Sequence, residues 1–304
     1  MPTQQQQPSE EGRIPEDEVR RALEVLKAVG PWPPGHFGSP YPSQGDVDRA
    51  KEVWANPSEA LPGIELNVEG QLSLLARLGV FQHDVALPQH PSPGWRFSNE
   101  NHYFANGDAL ALYAMMRELR PRRIIEVGSG FSSALMLDVN ERFCEGGIEF
   151  LFIEPYPERL YELLRPEDLE QIQIATAPAQ EIPLDTFDSL EAGDILFIDS
   201  SHVVKMGSDV NHLYFEILPR LKRDVHVLIH DVFYPFEYPS DWLEMRRIAW
   251  SEAYLLRAFL QYSKSFEISL FCDYLLRFHR EAVQAHYPEL ARGNPGSIWL
   301  RRAA

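Results

Sequence analysis

The run IIEVGSGFSS, residues 124–133, places Gly128 and Gly130 directly after a short apolar stretch and before a helical pattern. Glycines at such a junction let the main chain turn tightly and let a ligand approach the backbone. The following helix N-terminus supplies free amides. Ser129 lies between the glycines, and Ser133 stands where a dinucleotide fingerprint carries its third glycine, so a pyrophosphate cradle is incomplete. Glu154 ends the next apolar run, 24 residues past Gly130, where a carboxylate can accept hydrogen bonds from both hydroxyls of a ribose. These features predict a nucleoside-containing cofactor. A second constellation follows two later apolar runs: Asp199 with His202 after DILFI, and His230 with Asp231 after VLI. Ionisable groups at the ends of buried strands are costly unless paired, solvated or functional. A histidine with its ordinary pKa near about 6.5 suits proton transfer, and His202 is the expected base.

The elements that must hold these residues alternate in type. Short runs, apolar on both faces, predict strands at Arg123–Val127, Phe150–Ile153, Ile172–Ala175, Ile195–Ile198 and Val225–Ile229, separated by helical segments such as Pro157–Leu164 and Asp209–Leu221. That is a doubly wound α/β domain with a mostly parallel sheet. Earlier, helices are expected around Val19–Val29 and Val68–Leu78, and from an N-cap at Asp108 to Pro121. A long helix is expected over Leu243–Ser263. The later runs FEISLF and SIWLRR lack a crossover of the earlier type and are expected to pair antiparallel. Residues 1–13 have the composition of a disordered tail, and residues 14–100 form an arm with small helices, in which Trp32, Phe37 and Tyr41 call for an apolar partner. Residues 101–304 form the cofactor-binding domain.

Composition narrows the function. With 44% hydrophobic and 12% aromatic residues, wholesale disorder is excluded. The net charge is -17, and residues 141–199 alone hold 15 acids against 3 bases, so generic nucleic-acid binding is not expected. Cys144 and Cys272 fit no disulfide framework or metal spacing. The N-terminus has no signal-peptide pattern, and no apolar run is long enough for a bilayer; a soluble, cytoplasmic chain is expected. Self-association as a homo-oligomer is left open.

At NGDALALYAMMRELRPRRIIEVGSGFSS, FIEP, DILFIDSSH and VLIHDVFYPFEYP the chain resembles the class I S-adenosylmethionine-dependent methyltransferases, in particular small-molecule and sugar O-methyltransferases. The resemblance implies S-adenosyl-L-methionine held by Glu126, Gly128, Ser129, Gly130, Glu154 and Asp199, with Gln180 of APAQEI on the adenine edge. It also implies a Rossmann-like sheet ending in an antiparallel hairpin, and a methyl acceptor that is a small molecule or saccharide. His102, Tyr103 and Asn106 resemble the family's cofactor lid. In metal-dependent relatives, acids placed like Asp199 and Asp231 bind magnesium; His230 makes the donor set less suited to Mg²⁺. His202 and Asp199 are the expected catalytic pair, with FYPFEYP, residues 233–239, as an aromatic wall for the acceptor.

Two other readings stay open. His202, His230 and one aspartate could form a two-His, one-carboxylate iron site of a hydroxylase. A non-catalytic cofactor-binding protein predicts that the four strand-end side chains point apart.

Overall fold

The computed structural model describes residues 20–21, 31–84 and 86–303. The helix expected around Val19–Val29 and the tail expected at residues 1–13 lie essentially outside them. Two compact units are distinguished, residues 1–52 and 53–304. In the first, Trp32 stacks on His36 at 4.4 Å.

The helices are α1 (Gln44–Ala55), α2 (Val68–Leu78), α3 (Gly107–Leu119), α4 (Phe131–Phe143), α5 (Glu158–Leu163), α6 (Leu184–Asp188), α7 (Asp209–His212), α8 (Ser240–Arg246), α9 (Glu252–Leu260), α10 (Cys272–Phe278) and α11 (Arg280–His286). The strands are β1 (Arg123–Val127), β2 (Glu149–Ile153), β3 (Gln173–Ala175), β4 (Ile195–Ile198), β5 (His226–Ile229), β6 (Phe266–Phe271) and β7 (Ile298–Arg302). They form one sheet in the order β3-β2-β1-β4-β5-β7-β6. The pairs among β1–β5 are parallel, while β7 runs antiparallel to both β5 and β6. This is a Rossmann-like sheet with the expected antiparallel end. The strand order reverses between β1 and β4, the switch point where open α/β sheets bind ligands beyond the strand carboxyl ends.

Burial explains the strand patterns. Ile195–Ile198 and His226–Ile229 are buried throughout, as a sheet covered on both faces requires. The edge strand β6 is managed by polar side chains of the α2 region. Gln71 Oε1 accepts from the Phe271 amide at 2.7 Å, and Asn67 Nδ2 donates to the Ile268 carbonyl at 3.0 Å. Residues 53–100 fall in the same compact unit as the sheet.

Three expected helices differ. Asp108 is no N-cap: α3 starts at Gly107, and the buried Asp108 carboxylate accepts from the Gly296 amide at 3.2 Å and from Ser297 Oγ. The segment before β7 has claimed it. The helix expected from Asp209 is regular only to His212; it then widens into a π turn and tightens into a 3₁₀ turn at Pro219, whose ring cannot continue an α-helix. The span Leu243–Ser263 breaks between α8 and α9, with Arg247 in the left-handed region at φ 61°. Among the described residues, no helix is long and apolar enough to cross a membrane.

Candidate active site

The glycine loop is fixed by its neighbours on both sides. The Gly128 amide donates to Ile153 O at 2.9 Å, and the Asp199 amide donates to Val127 O at 2.8 Å, tying the ends of β1, β2 and β4 together. Gly128 has φ +85°, and a Cβ there would lie 1.7 Å from the Asp199 carbonyl oxygen, so only glycine fits. Glu154 accepts from the Ser129 amide at 3.0 Å and from the Tyr156 amide at 2.8 Å. Its carboxylate thus holds the loop while facing the space beside it.

Glu126 does not face that space. It is fully buried beneath the loop and accepts from Ser132 Oγ, at 2.5 Å, and Ser133 Oγ, which braces the loop instead of touching a ligand. Burial pushes its carboxyl up to about 8 against the pull of the two serines. The folded state therefore binds more protons than the unfolded chain between the ordinary carboxyl range and about 8, and stability falls as pH rises through that window. Glu126→Gln should flatten the decline, by up to roughly 1 kcal/mol per pH unit. Denaturation midpoints between about pH 5 and 8 measure this; an unchanged slope would remove Glu126 as the cause.

Two cavities meet at the switch point, and Gly128, Glu154, Asp199 and Ser200 border both. One, about 610 Å³, is lined by Tyr156, Ala179 and Gln180. Gln180 lies where the adenine edge was expected, but its amide nitrogen is engaged by Gly207 O at 2.8 Å. The other, about 410 Å³, holds Ser129 and Gly130 of the loop, His102 and Tyr103, and the strand-end cluster. Asn106 is not among its lining residues. FYPFEYP does not form the expected wall, because Phe233, Tyr234, Phe236 and Tyr238 are buried in aromatic packing, with Tyr234 Oη donating to Ser58 O. Trp242 and Trp250 form it instead.

The four strand-end side chains converge. Asp199 Oδ1 lies 3.1 Å from His202 Nε2 and 3.4 Å from His230 Nδ1, and Asp231 Oδ2 lies 3.8 and 3.6 Å from the same nitrogens. β5 has ended at Ile229, which frees His230 and Asp231 from strand alternation, and Asp231 adopts φ 57°. The convergence is opposite to what a non-catalytic scaffold predicts. Asp199, His230 and Asp231 each offer one ligand atom, all within 4.8 Å of one another. On the other side of the ring, His230 Nε2 lies 3.6 Å from Asp108 Oδ2.

His202, the expected base, has both ring nitrogens within reach of carboxylates. Its Nδ1 meets Glu252 Oε2 at 2.8 Å while Nε2 meets Asp199. Burial opposes its charge, but the bonds to Asp199 and Glu252 prevail and hold the imidazole up at about 10. Those two bonds favour the protonated ring over the free-base form that proton abstraction requires. With both nitrogens engaged, His202 is also not offered to a two-His iron site. The charge of His230 and the bonds to both imidazoles outweigh burial and keep Asp199 well below the usual carboxylate range, whereas burial raises Asp231.

Glu252, Asp108, Trp242 and Trp250 were not anticipated from the sequence as site residues. Trp250 packs its ring 4.3 Å from that of His202, and Trp242 meets Trp250 edge-on at 5.1 Å. Ser251 before Glu252 is a helix-start signal that could have marked the break.

A glycine loop, a ribose-competent carboxylate and an acid–imidazole cluster at the switch point of a Rossmann-like sheet define a nucleoside-cofactor enzyme. Residues 125–232 match the family model described as a methyltransferase domain. An uncharacterized protein of Archaeoglobus fulgidus is 36% identical over 178 residues, covering 56% of this chain and 79% of its own. Among solved structures, the Podospora anserina methyltransferase PaMTH1 bound to S-adenosylhomocysteine is 17% identical, with 86% of this chain and 97% of that chain covered and a TM-score of 0.42. The O-methyltransferase TomG of Streptomyces achromogenes, in complex with S-adenosylmethionine, is 15% identical, with coverage of 79% and 92% and a TM-score of 0.40. Residues 125–232 thus carry a methyltransferase domain of the class I, S-adenosylmethionine-dependent type.

Proposed function

We propose that the protein is an O-methyltransferase that transfers the methyl group of S-adenosylmethionine to a hydroxyl of a small molecule or saccharide, assisted by a divalent cation at Asp199, His230 and Asp231. The observation that carries this reading is the convergence of that cluster beside the glycine loop in one cavity. Gly128, Ser129 and Gly130 would face the methionine portion, Glu154 the ribose hydroxyls, and Gln180 with Ala179 the adenine. Two carboxylates and one imidazole fit a divalent ion, and the imidazole favours iron over magnesium. Such an ion lowers the pKa of a bound hydroxyl. The chain's own part is alignment of oxygen, methyl and sulfur, which contributes up to roughly 7 to 11 kcal/mol in well-oriented reactions. His202, as an imidazolium clamped by Glu252, holds Asp199 in place. Both cysteines are free, which supports a reducing, cytoplasmic setting.

Calorimetry with S-adenosylmethionine tests the cofactor half. Saturable binding is expected, weakened about 100-fold in Glu154→Ala, because that carboxylate both receives the ribose and pins the loop. Absence of binding to the unaltered protein would end the reading. Metal analysis of the purified protein, before and after chelation, tests the cation half.

A further inference from the structure

We infer that the methyl acceptor is a ring-bearing hydroxy acid, its ring against Trp242 and Trp250 and its anionic group held by Arg246 at the mouth of the cavity. This rests on the methyltransferase reading above and names the substrate class of the same site.

Acids outnumber bases 45 to 28, and carboxylates engage many of the guanidiniums, those of Arg96, Arg123, Arg220, Arg277 and Arg301 among them. The two arginines lining this cavity, Arg159 and Arg246, pair with no carboxylate among the described residues. Below them the floor carries Asp199 and Asp231. A cavity with an acidic floor and unpaired guanidiniums along its lining orients a molecule that presents a hydroxyl at one end and an anion at the other. Guanidinium favours planar oxyanions, with which it forms paired hydrogen bonds.

The two arginines divide by position. Arg159 belongs to the cofactor side: its Cδ lies 3.4 Å from where a Cβ on Gly130 would be, and its guanidinium stacks on Tyr103 at 3.7 Å. There it suits the carboxylate of the cofactor's own methionine portion. Arg246 belongs to the acceptor side. It lies four residues after Trp242 on α8, hence on the same helix face, and Ile248 and Trp250 beyond it line the same cavity. The tryptophan rings stand at 88° to each other, an angled apolar corner into which a flat ring can stack. Aromatic and saccharide acids share this chemistry.

The test is calorimetric, on protein saturated with S-adenosylhomocysteine, using protocatechuate against its amide and glucuronate against glucose. The acid of at least one pair is expected to bind about tenfold or more tightly than its neutral counterpart. That preference should vanish in Arg246→Gln and be kept in part by Arg246→Lys, while S-adenosylhomocysteine affinity stays unchanged in both. Arg246 is exposed, so neither variant should disturb folding. Equal binding of acid and neutral forms, a preference that survives Arg246→Gln, or no binding by any of the four overturns the inference. Failure of S-adenosylhomocysteine itself to bind, measured first, instead overturns the methyltransferase reading.

Discussion

Gly128→Ala is expected to abolish S-adenosylmethionine binding, with a loss of about 1,000-fold or more in affinity. The left-handed backbone alone costs an alanine only about 1–2 kcal/mol. The larger penalty is contact: the new methyl carbon would meet the Asp199 carbonyl oxygen at 1.7 Å, and neither side can yield freely. Gly128 is bonded to β2 through Ile153, and Asp199 to β1 through Val127, so relief must tear the junction of three strands. Gly146→Ala is the matched control. It too has a left-handed backbone, with φ +70°, but nothing lies within 4 Å of an added Cβ, and Gly146 lines neither cofactor cavity, so it should bind the cofactor within a few-fold of the unaltered protein. Calorimetry and thermal melting of the two variants decide the matter. Near-normal binding by Gly128→Ala would mean that the loop is free to move.

Asp199→Asn should be nearly as severe, but in turnover. Asp199 is the carboxylate common to both imidazoles and to the candidate cation site, and it borders both cavities. Asparagine keeps its shape, removes its charge and presents an amide donor toward rings that are themselves donors. We expect kcat to fall about 1,000-fold, well beyond the 10- to 100-fold usual when only an outer-shell partner of a metal ligand is lost. Affinity for S-adenosylhomocysteine should change far less, since the glycine loop and Glu154 are untouched. Single-turnover rates with saturating cofactor, together with metal content, test this. A kcat within tenfold of the unaltered enzyme would remove Asp199 from the chemistry.

The sheet was legible because each strand is a short apolar run bounded by polar turns, a pattern with a local cause. β1 and β4 fall where the residues predict, and Glu154 pins the glycine loop beside the cavity. The cluster was legible as a list of residues, but its protonation was not. His202 is set by Glu252, fifty residues away in the chain, so its ordinary pKa was a poor guide. Glu252 itself was hidden inside an expected continuous helix, since the break at Arg247 is imposed by tertiary packing rather than by a glycine or proline. Asp108 was read through local capping rules, yet its partners come from residues 296 and 297. FYPFEYP and the tryptophans show the same limit, because aromatic residues fill cores and line pockets with the same chemistry, and only the packing distinguishes the two.

The strand order also bears on how the chain comes to be folded. β6 is synthesised before β7 but joins the sheet only through it, for β7 is inserted between β5 and β6. Until residues 298–302 emerge from the ribosome, β6 has no strand to pair with, and β5, which carries His230 and Asp231 at its end, remains an open edge. The parallel part of the sheet can assemble while synthesis proceeds, whereas the reacting half must wait for the last strand. During that interval the sequences of β5 and β6 are its most aggregation-exposed segments.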